Sequence, residues 1–347
     1  MTDIRRSMAM LGLALVMAGC GAGLTAVTGT PTPGATTPGP TPVATRTPRA
    51  RPTTGCCDAT PRPPKRARPT PTPTAALEDI PGLAELAGDD GRVTLLLLGT
   101  DKRRGIAGER TDTILVATLD PASGRVAMVS VPRDTVDVPI GPGQTTGDQG
   151  RINATFQEFM NGGARRKAAL RHMKRAVGYA LGIEIDRYVL VGFAGVRRLI
   201  KGIGGVDVVL GRRLVDSSTH PPISLRRGRN HLNGKRALAF ARSRHSDNDY
   251  ERARRQQLLI AATARKVLAR GIDALPALVD VAKHHIETDI GWASAPALMA
   301  LVGRARLDRY RSVVLGPSRF AGPGVETYTT VLKIDAVRAA LDRIMGE

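Results

Sequence analysis

The chain has 347 residues, 51 Lys and Arg against 31 Asp and Glu, a net charge of +20, 3% aromatic residues and three cysteines. That length admits one large domain or two ordinary ones, and three cysteines exclude a disulfide-stapled scaffold. Nucleic acid is the usual partner of so basic a chain, but the N-terminus points the charge elsewhere.

Residues 1–20 read as an export signal: Arg5 and Arg6, the apolar run MAMLGLALVMA, then Ala18-Gly19-Cys20. The run falls short of the roughly 20 residues that span a bilayer as a helix. Small residues just before a cysteine resemble a bacterial lipobox, in which Cys20 is lipidated and anchors the mature chain to the membrane. An uncleaved anchor helix is the alternative. Both place the rest of the chain on the extracytoplasmic face of the cell membrane, where no nucleic acid partner is expected.

Residues 21–76 form a tether of Pro, Thr, Gly, Ala and Arg with TPTPG, TPGPTP and TPTPT repeats. With hardly any large apolar residue, this stretch has too little surface to bury to offset its ordering entropy, so an extended, disordered spacer is expected. Arg46, Arg49, Arg51, Arg62, Lys65, Arg66 and Arg68 against Asp58 make it basic. It suits anionic lipid heads or wall polymer as well as a solvated spacer. Cys56 and Cys57 also fall here, so the folded region has no cysteine for a nucleophile or zinc ligand.

Residues 77–347 alternate strand-length apolar runs with amphipathic helical stretches, which points to one α/β or α+β layered domain. VTLLLLG (93–99) reads as a fully buried strand, followed closely by TILVATL (113–119) and VAMVSV (126–131). Connections this short favour antiparallel neighbours. Asp101 leaving the first strand, Asp112 entering the second and Arg133 leaving the third then meet at one end of the sheet.

Further along, the pattern predicts helices at 164–181, 195–203, 234–242, 250–270, 273–285, 294–305 and 335–345. Strands are predicted at 186–193, 206–210, 311–315 and 325–332. The 234–242 helix should end near Arg242, because Arg242 and Arg244 would point apart on a continued helix. Arg252 and Gln256, one turn apart, share a face.

Two carboxylates (Asp101, Asp112) and five guanidinium groups (Arg110, Arg133, Arg242, Arg244, Arg252), beside Gln256, are too many charges to bury without a ligand, because each is costly to take from water unless paired. Together they suit a metal ion and a polyphosphate. Arginine forks match phosphate oxygens, and Mg²⁺ takes one or two carboxylates plus phosphate oxygens. Singly each has a plain structural role, Asp101 as a turn cap and the arginines as solvated charges. His245 beside the arginines, and His284 with His285, lack partners at zinc spacing. There is no G-x-x-x-x-G-K-[ST] loop and no G-x-S-x-G elbow.

The motifs LLLLGTD, RTDTILVATLDP, VSVPRDT, RINATF, LGIEIDRYVLVGFAGVRRLIKGIGGVDV, HLNGKRALAFARSRH and ERARRQQ resemble, in order and spacing, the LytR-CpsA-Psr family of bacterial cell-envelope proteins, over a core of about 93–268. The resemblance implies an α/β fold, αβα layered, with a mixed central sheet flanked by helices in a single domain, and an extracytoplasmic phosphotransferase. Such an enzyme takes a glycopolymer such as teichoic acid or capsule polysaccharide from a polyprenyl-pyrophosphate carrier to peptidoglycan, through a phosphodiester. It implies that Asp101 and Asp112 hold Mg²⁺, with Mn²⁺ as the alternative ion, and that Arg110, Arg133, Arg242, Arg244, Arg252 and Gln256 bind the pyrophosphate or order the site. Asp101, Arg110, Asp112 and Arg133 are then the catalytic set, and Asp134 or Asp112 is the candidate base. The chain departs from the common plan in its lipoprotein-like start, in the Gly-rich segment 139–150 and beyond about residue 270, for which no function is implied. The rival readings are hydrolysis of the same carrier-linked glycan and a non-catalytic lipoprotein that binds anionic polymer or lipid.

Overall fold

The computed structural model describes residues 80, 82–102, 108–148, 150–244, 248–317, 319–324 and 328–346. The export signal with Cys20, the tether with Cys56 and Cys57, and His245 lie outside the described residues.

The centre is a six-stranded mixed sheet: β1 (Val93–Thr100), β2 (Thr111–Leu119), β3 (Val126–Val131), β4 (Arg187–Gly192), β5 (Ile286–Thr288) and β6 (Arg311–Val314), ordered β5-β4-β1-β2-β3-β6. The expected antiparallel β1–β2–β3 meander is present, with Val93 opposite Leu119 and Ile114 opposite Val131. β4 joins β1 in parallel and β6 joins β3 in parallel. Both edge strands come from the segment beyond residue 270, so that part of the chain completes the sheet. Of the run predicted as one strand at 325–332, residues 325–327 lie outside the described residues and Thr330–Leu332 forms a strand, paired antiparallel with Ala321–Pro323, a short strand the sequence pattern did not predict.

Helices cover both faces, because alternate residues of the same strands point opposite ways. Leu95, Leu97, Leu115 and Met128 face one core, closed by α3 (Phe193–Gly202), α4 (Gly234–Arg242), α5 (Asp249–Arg270), α6 (Leu275–His285) and α7 (Ala295–Arg304). Leu96, Leu98, Ile114 and Val129 face the other, where α1 (Thr155–Asn161), α2 (Arg166–Leu181) and α8 (Ile334–Gly346) supply Phe156, Met173, Val177 and Leu341. This is the αβα layering expected. The unbroken run Leu95–Leu98 in β1 follows from it, since every residue of the strand is covered.

Local chemistry sets the helix ends that matter to the site. Asn248 caps α5, its side chain accepting from the N–H groups of Tyr250 (3.1 Å) and Glu251 (3.0 Å). α4 starts at the Asn233 cap and stops at Ser243, one residue beyond Arg242 as the sequence predicts.

Candidate active site

The site lies where β1 and β3 end and β2 begins. The antiparallel register is broken there: Gly99 faces Thr113 but Thr100 faces Thr111, so Asp112 is the extra residue of a β-bulge. A bulge re-aims the side chain it carries. Asp112 is 3% exposed; its Oδ1 accepts from Asn153 Nδ2 at 2.9 Å and its Oδ2 pairs with Arg133 Nη1 at 3.0 Å. Asp101 is half-buried one residue beyond β1, and its Oδ1 accepts the Arg110 N–H at 3.0 Å. The two acids thus leave neighbouring strands at the same end.

Arg133 reaches further, its Nε lying 3.2 Å from Asp134 and 3.3 Å from Asp249. Asp249, the first residue of α5, is the hub of the site. Its Oδ1 lies 2.9 Å from Arg244 Nε and 3.0 Å from Arg252 Nη1, and its Oδ2 accepts from Arg244 Nη2 at 3.0 Å. Burial pushes the Asp249 carboxyl up, but the charges of Arg252, Arg244 and Arg133 outweigh it and hold the group below the usual carboxylate range. Asp134 is gripped on its other side by Arg151 at 3.1 Å.

A second set of buried groups holds Arg244 in place. Asp216, 1% exposed, accepts from Ser243 Oγ (2.7 Å) and from the Arg244 N–H (2.9 Å). Arg255 donates to the Ser243 carbonyl. Beside the acids, Glu109 is buried, bonded to Thr100 Oγ1 at 2.7 Å and to Arg166, whose Nε reaches Glu287 at 2.6 Å. That chain of charges ties the segment bearing Arg110 to α2 and to the edge strand β5.

The eight sequence-predicted residues therefore do not all meet. Asp112, Arg133, Arg244 and Arg252 share one cluster, and Asp101 with Arg110 stands at the adjoining strand ends. Arg242 lies with its guanidinium 4.7 Å from the centre of the Phe193 ring, a cation–π contact. Gln256 donates to the Ala241 carbonyl at 3.3 Å, fastening α5 to α4. The premise that these charges need a ligand for company is corrected: the chain's own Asp134 and Asp249 pair with them. Sequence reasoning missed Asp249, Asp216 and Asn153, although Asn153 lies inside the quoted motif RINATF.

Three buried polar atoms in the cluster make no hydrogen bond among the described residues: Asn153 Oδ1, an acceptor, and Arg244 Nε and Arg252 Nε, both donors. Unmet buried groups are costly, and these are of the kinds that suit a cation and an anion. Each oxygen of Asp112 meets one partner, and a carboxylate oxygen has two lone pairs. The donor set fits a hard divalent ion held by Asp101 and Asp112.

The profile of the LytR_cpsA_psr family matches residues 68–313. The chain is 32% identical over 228 residues to the polyisoprenyl-teichoic acid–peptidoglycan teichoic acid transferase TagV of Bacillus subtilis, covering 63% of this chain and 55% of that protein. It is 30% identical over 207 residues to the regulatory protein MsrR of Staphylococcus aureus, covering 58% of each. It thus spans little more than half the length of these relatives. The crystal structure of B. subtilis TagV superposes with a TM-score of 0.58 at 27% identity, over 74% of this chain and 97% of that one.

Proposed function

From the membership of this chain in the LytR-CpsA-Psr family, we propose that it is an extracytoplasmic phosphotransferase that moves an anionic glycopolymer from a polyprenyl-pyrophosphate carrier to peptidoglycan. The observation that carries this reading is the convergence of Arg133, Arg244 and Arg252 on Asp249, within 3.3 Å, beside the bulged Asp112. Phosphoryl transfer asks a protein mainly to position groups and neutralise charge. Arginines already aligned by a carboxylate exchange it for phosphate oxygens with little reorganisation.

Asp101 and Asp112 would hold Mg²⁺, or Mn²⁺ in its place, and the bound ion would neutralise charge on the pyrophosphate oxygens. Arg252 offers its unpartnered Nε–H and Arg244 its fork to the same oxygens. Arg110, exposed at the rim, meets the substrate on entry. Asp134 is the proposed base: its side chain is 20% exposed against 2% for Asp112, so an acceptor hydroxyl reaches it more readily. The hydroxyl oxygen attacks the phosphorus nearest the glycopolymer, Asp134 takes its proton, and polyprenyl phosphate leaves. Anchoring through Cys20 would keep the domain within a tether's reach of a membrane-bound carrier.

Asp101→Ala and Asp112→Ala test the reading against the non-catalytic one. Loss of about 100-fold or more in release of a labelled glycan phosphate, together with loss of Mg²⁺ dependence, is expected. Release indifferent to both substitutions, with anion binding retained, would leave only a basic binding protein.

A further inference from the structure

At the opposite end of the sheet lies a cavity of about 180 Å³ rimmed by Arg92, Arg125, Arg306, Arg309 and Arg311, with Asp120 the one carboxylate among the described lining residues. Its floor is apolar, with Val126, Ala127, Ile344 and Met345. The eight residues of β1 separate it from the candidate active site by roughly 25 Å at about 3.3 Å per residue.

The convergence is built into the backbone. Gly124, at φ 69°, sits in the β2–β3 turn where an added Cβ would collide with the Arg304 carbonyl, and its own carbonyl accepts the Arg306 N–H at 2.8 Å. The segment after α7 is thereby clamped onto the turn, bringing Arg306 and Arg309 over Arg125. Asp120 pairs with Arg125 at 3.4 Å and Asp308 with Arg309 at 3.6 Å, so the five guanidinium groups outnumber these acids. Asp120 Oδ1 takes the N–H groups of Ala122 (3.0 Å) and Ser123 (3.3 Å), and its Oδ2 takes Ser123 Oγ (2.6 Å) and Arg125 (3.4 Å). Burial, with the nearby Arg125 charge, holds Arg92 below its ordinary value against the pull of Asp120.

We propose that this pocket is a second anion site, which takes one phosphate group of an extended, phosphate-bearing polymer held away from the reacting end. The chemistry follows from the arginine forks, which suit phosphate oxygens. The size follows from the volume, which is below the roughly 300–1,000 Å³ of pockets that hold a drug-sized ligand and suits one charged group of a chain. A membrane surface is disfavoured because the exposed large apolar residues among those described, Val209, Val215 and Tyr328, are not in its lining. That the polymer is the enzyme's own glycopolymer rests on the proposed function; the affinity for phosphate does not.

The test is binding of a fluorescently labelled linear polyphosphate to the full chain, which requires no transfer activity. Arg125→Gln, Arg306→Gln and Arg309→Gln together are compared with an equal charge removal at exposed positions elsewhere, Arg213→Gln, Arg226→Gln and Arg227→Gln. The pocket triple should raise Kd about tenfold and flatten its salt dependence, the control triple should change it less than twofold, and inorganic phosphate should compete only at much higher concentration. Unchanged Tm in both triples shows that folding is not the cause. Equal weakening by the two triples would overturn the proposal in favour of net charge. Loss of binding to phosphatidylglycerol vesicles, with polyphosphate binding intact, would overturn it in favour of a membrane surface. Failure here leaves the Asp101–Asp112 reading untouched, and absence of transfer leaves this one untouched.

Discussion

Asp249 is the point where three guanidinium groups meet, so its removal exposes how the site is held together. Truncating one partner of a buried ion pair costs about 3–5 kcal/mol, because the partner charges are left alone. With 27% of its side chain exposed, Asp249→Ala should cost somewhat less, about 2–3 kcal/mol, measured by urea unfolding, and should reduce transfer as Arg133, Arg244 and Arg252 lose alignment. A loss below 0.5 kcal/mol with activity intact would show that water already satisfies the arginines. The sequence made Asp101, Asp112 and Arg133 legible as neighbours because strand pairing alone brings them together. Asp249 was hidden by its setting: an acid in the first turn of a helix is well accounted for by capping and the helix dipole. Asp216 was hidden too, since its partners Ser243 and Arg244 lie across a connection whose path no local pattern fixes.

The start of α5 links secondary structure to the site most tightly. Asn248 satisfies two of the helix's unpaired N–H groups, and the next turn carries Asp249 and Arg252. Asn248→Ala should cost about 1 kcal/mol and lower Tm by a few degrees, while Asn248→Ser or Asn248→Asp should restore most of it. If all three variants melt alike, the cap is idle. Most element boundaries were readable to within two residues, including the end of α4, because apolar periodicity and capping residues agreed. The Asp112 bulge was not readable, since both neighbours of Asp112 are threonines and a regular strand fits the same letters. Nor was the short strand Ala321–Pro323, which is set by its pairing with Thr330–Leu332 and not by local propensity.

Across the whole molecule, two cores back one sheet, and their stability has a pH dependence of its own. Asp186 is buried beside Thr94, whose N–H its Oδ2 accepts at 2.7 Å, and burial, helped by the nearby Glu184, pushes its carboxyl up to about 7. A carboxyl raised in the folded state binds a proton that the unfolded chain has released, so its contribution is full below about pH 4 and is lost as pH rises toward 7. Asp186→Asn removes the titration and keeps an acceptor for Thr94. Its Tm should therefore gain on the parent's between pH 5 and pH 8, and a constant difference would contradict the assignment. The central claim concerns transfer to an acceptor, and one measurement meets it directly: incubation of the protein with a polyprenyl-pyrophosphate glycan labelled in the sugar, with Mg²⁺, in the presence and absence of peptidoglycan. The account predicts label joined to peptidoglycan through a phosphodiester, with polyprenyl phosphate released in step and little release without acceptor; release at the same rate without peptidoglycan, and no label on it when present, would contradict transfer and identify a hydrolase.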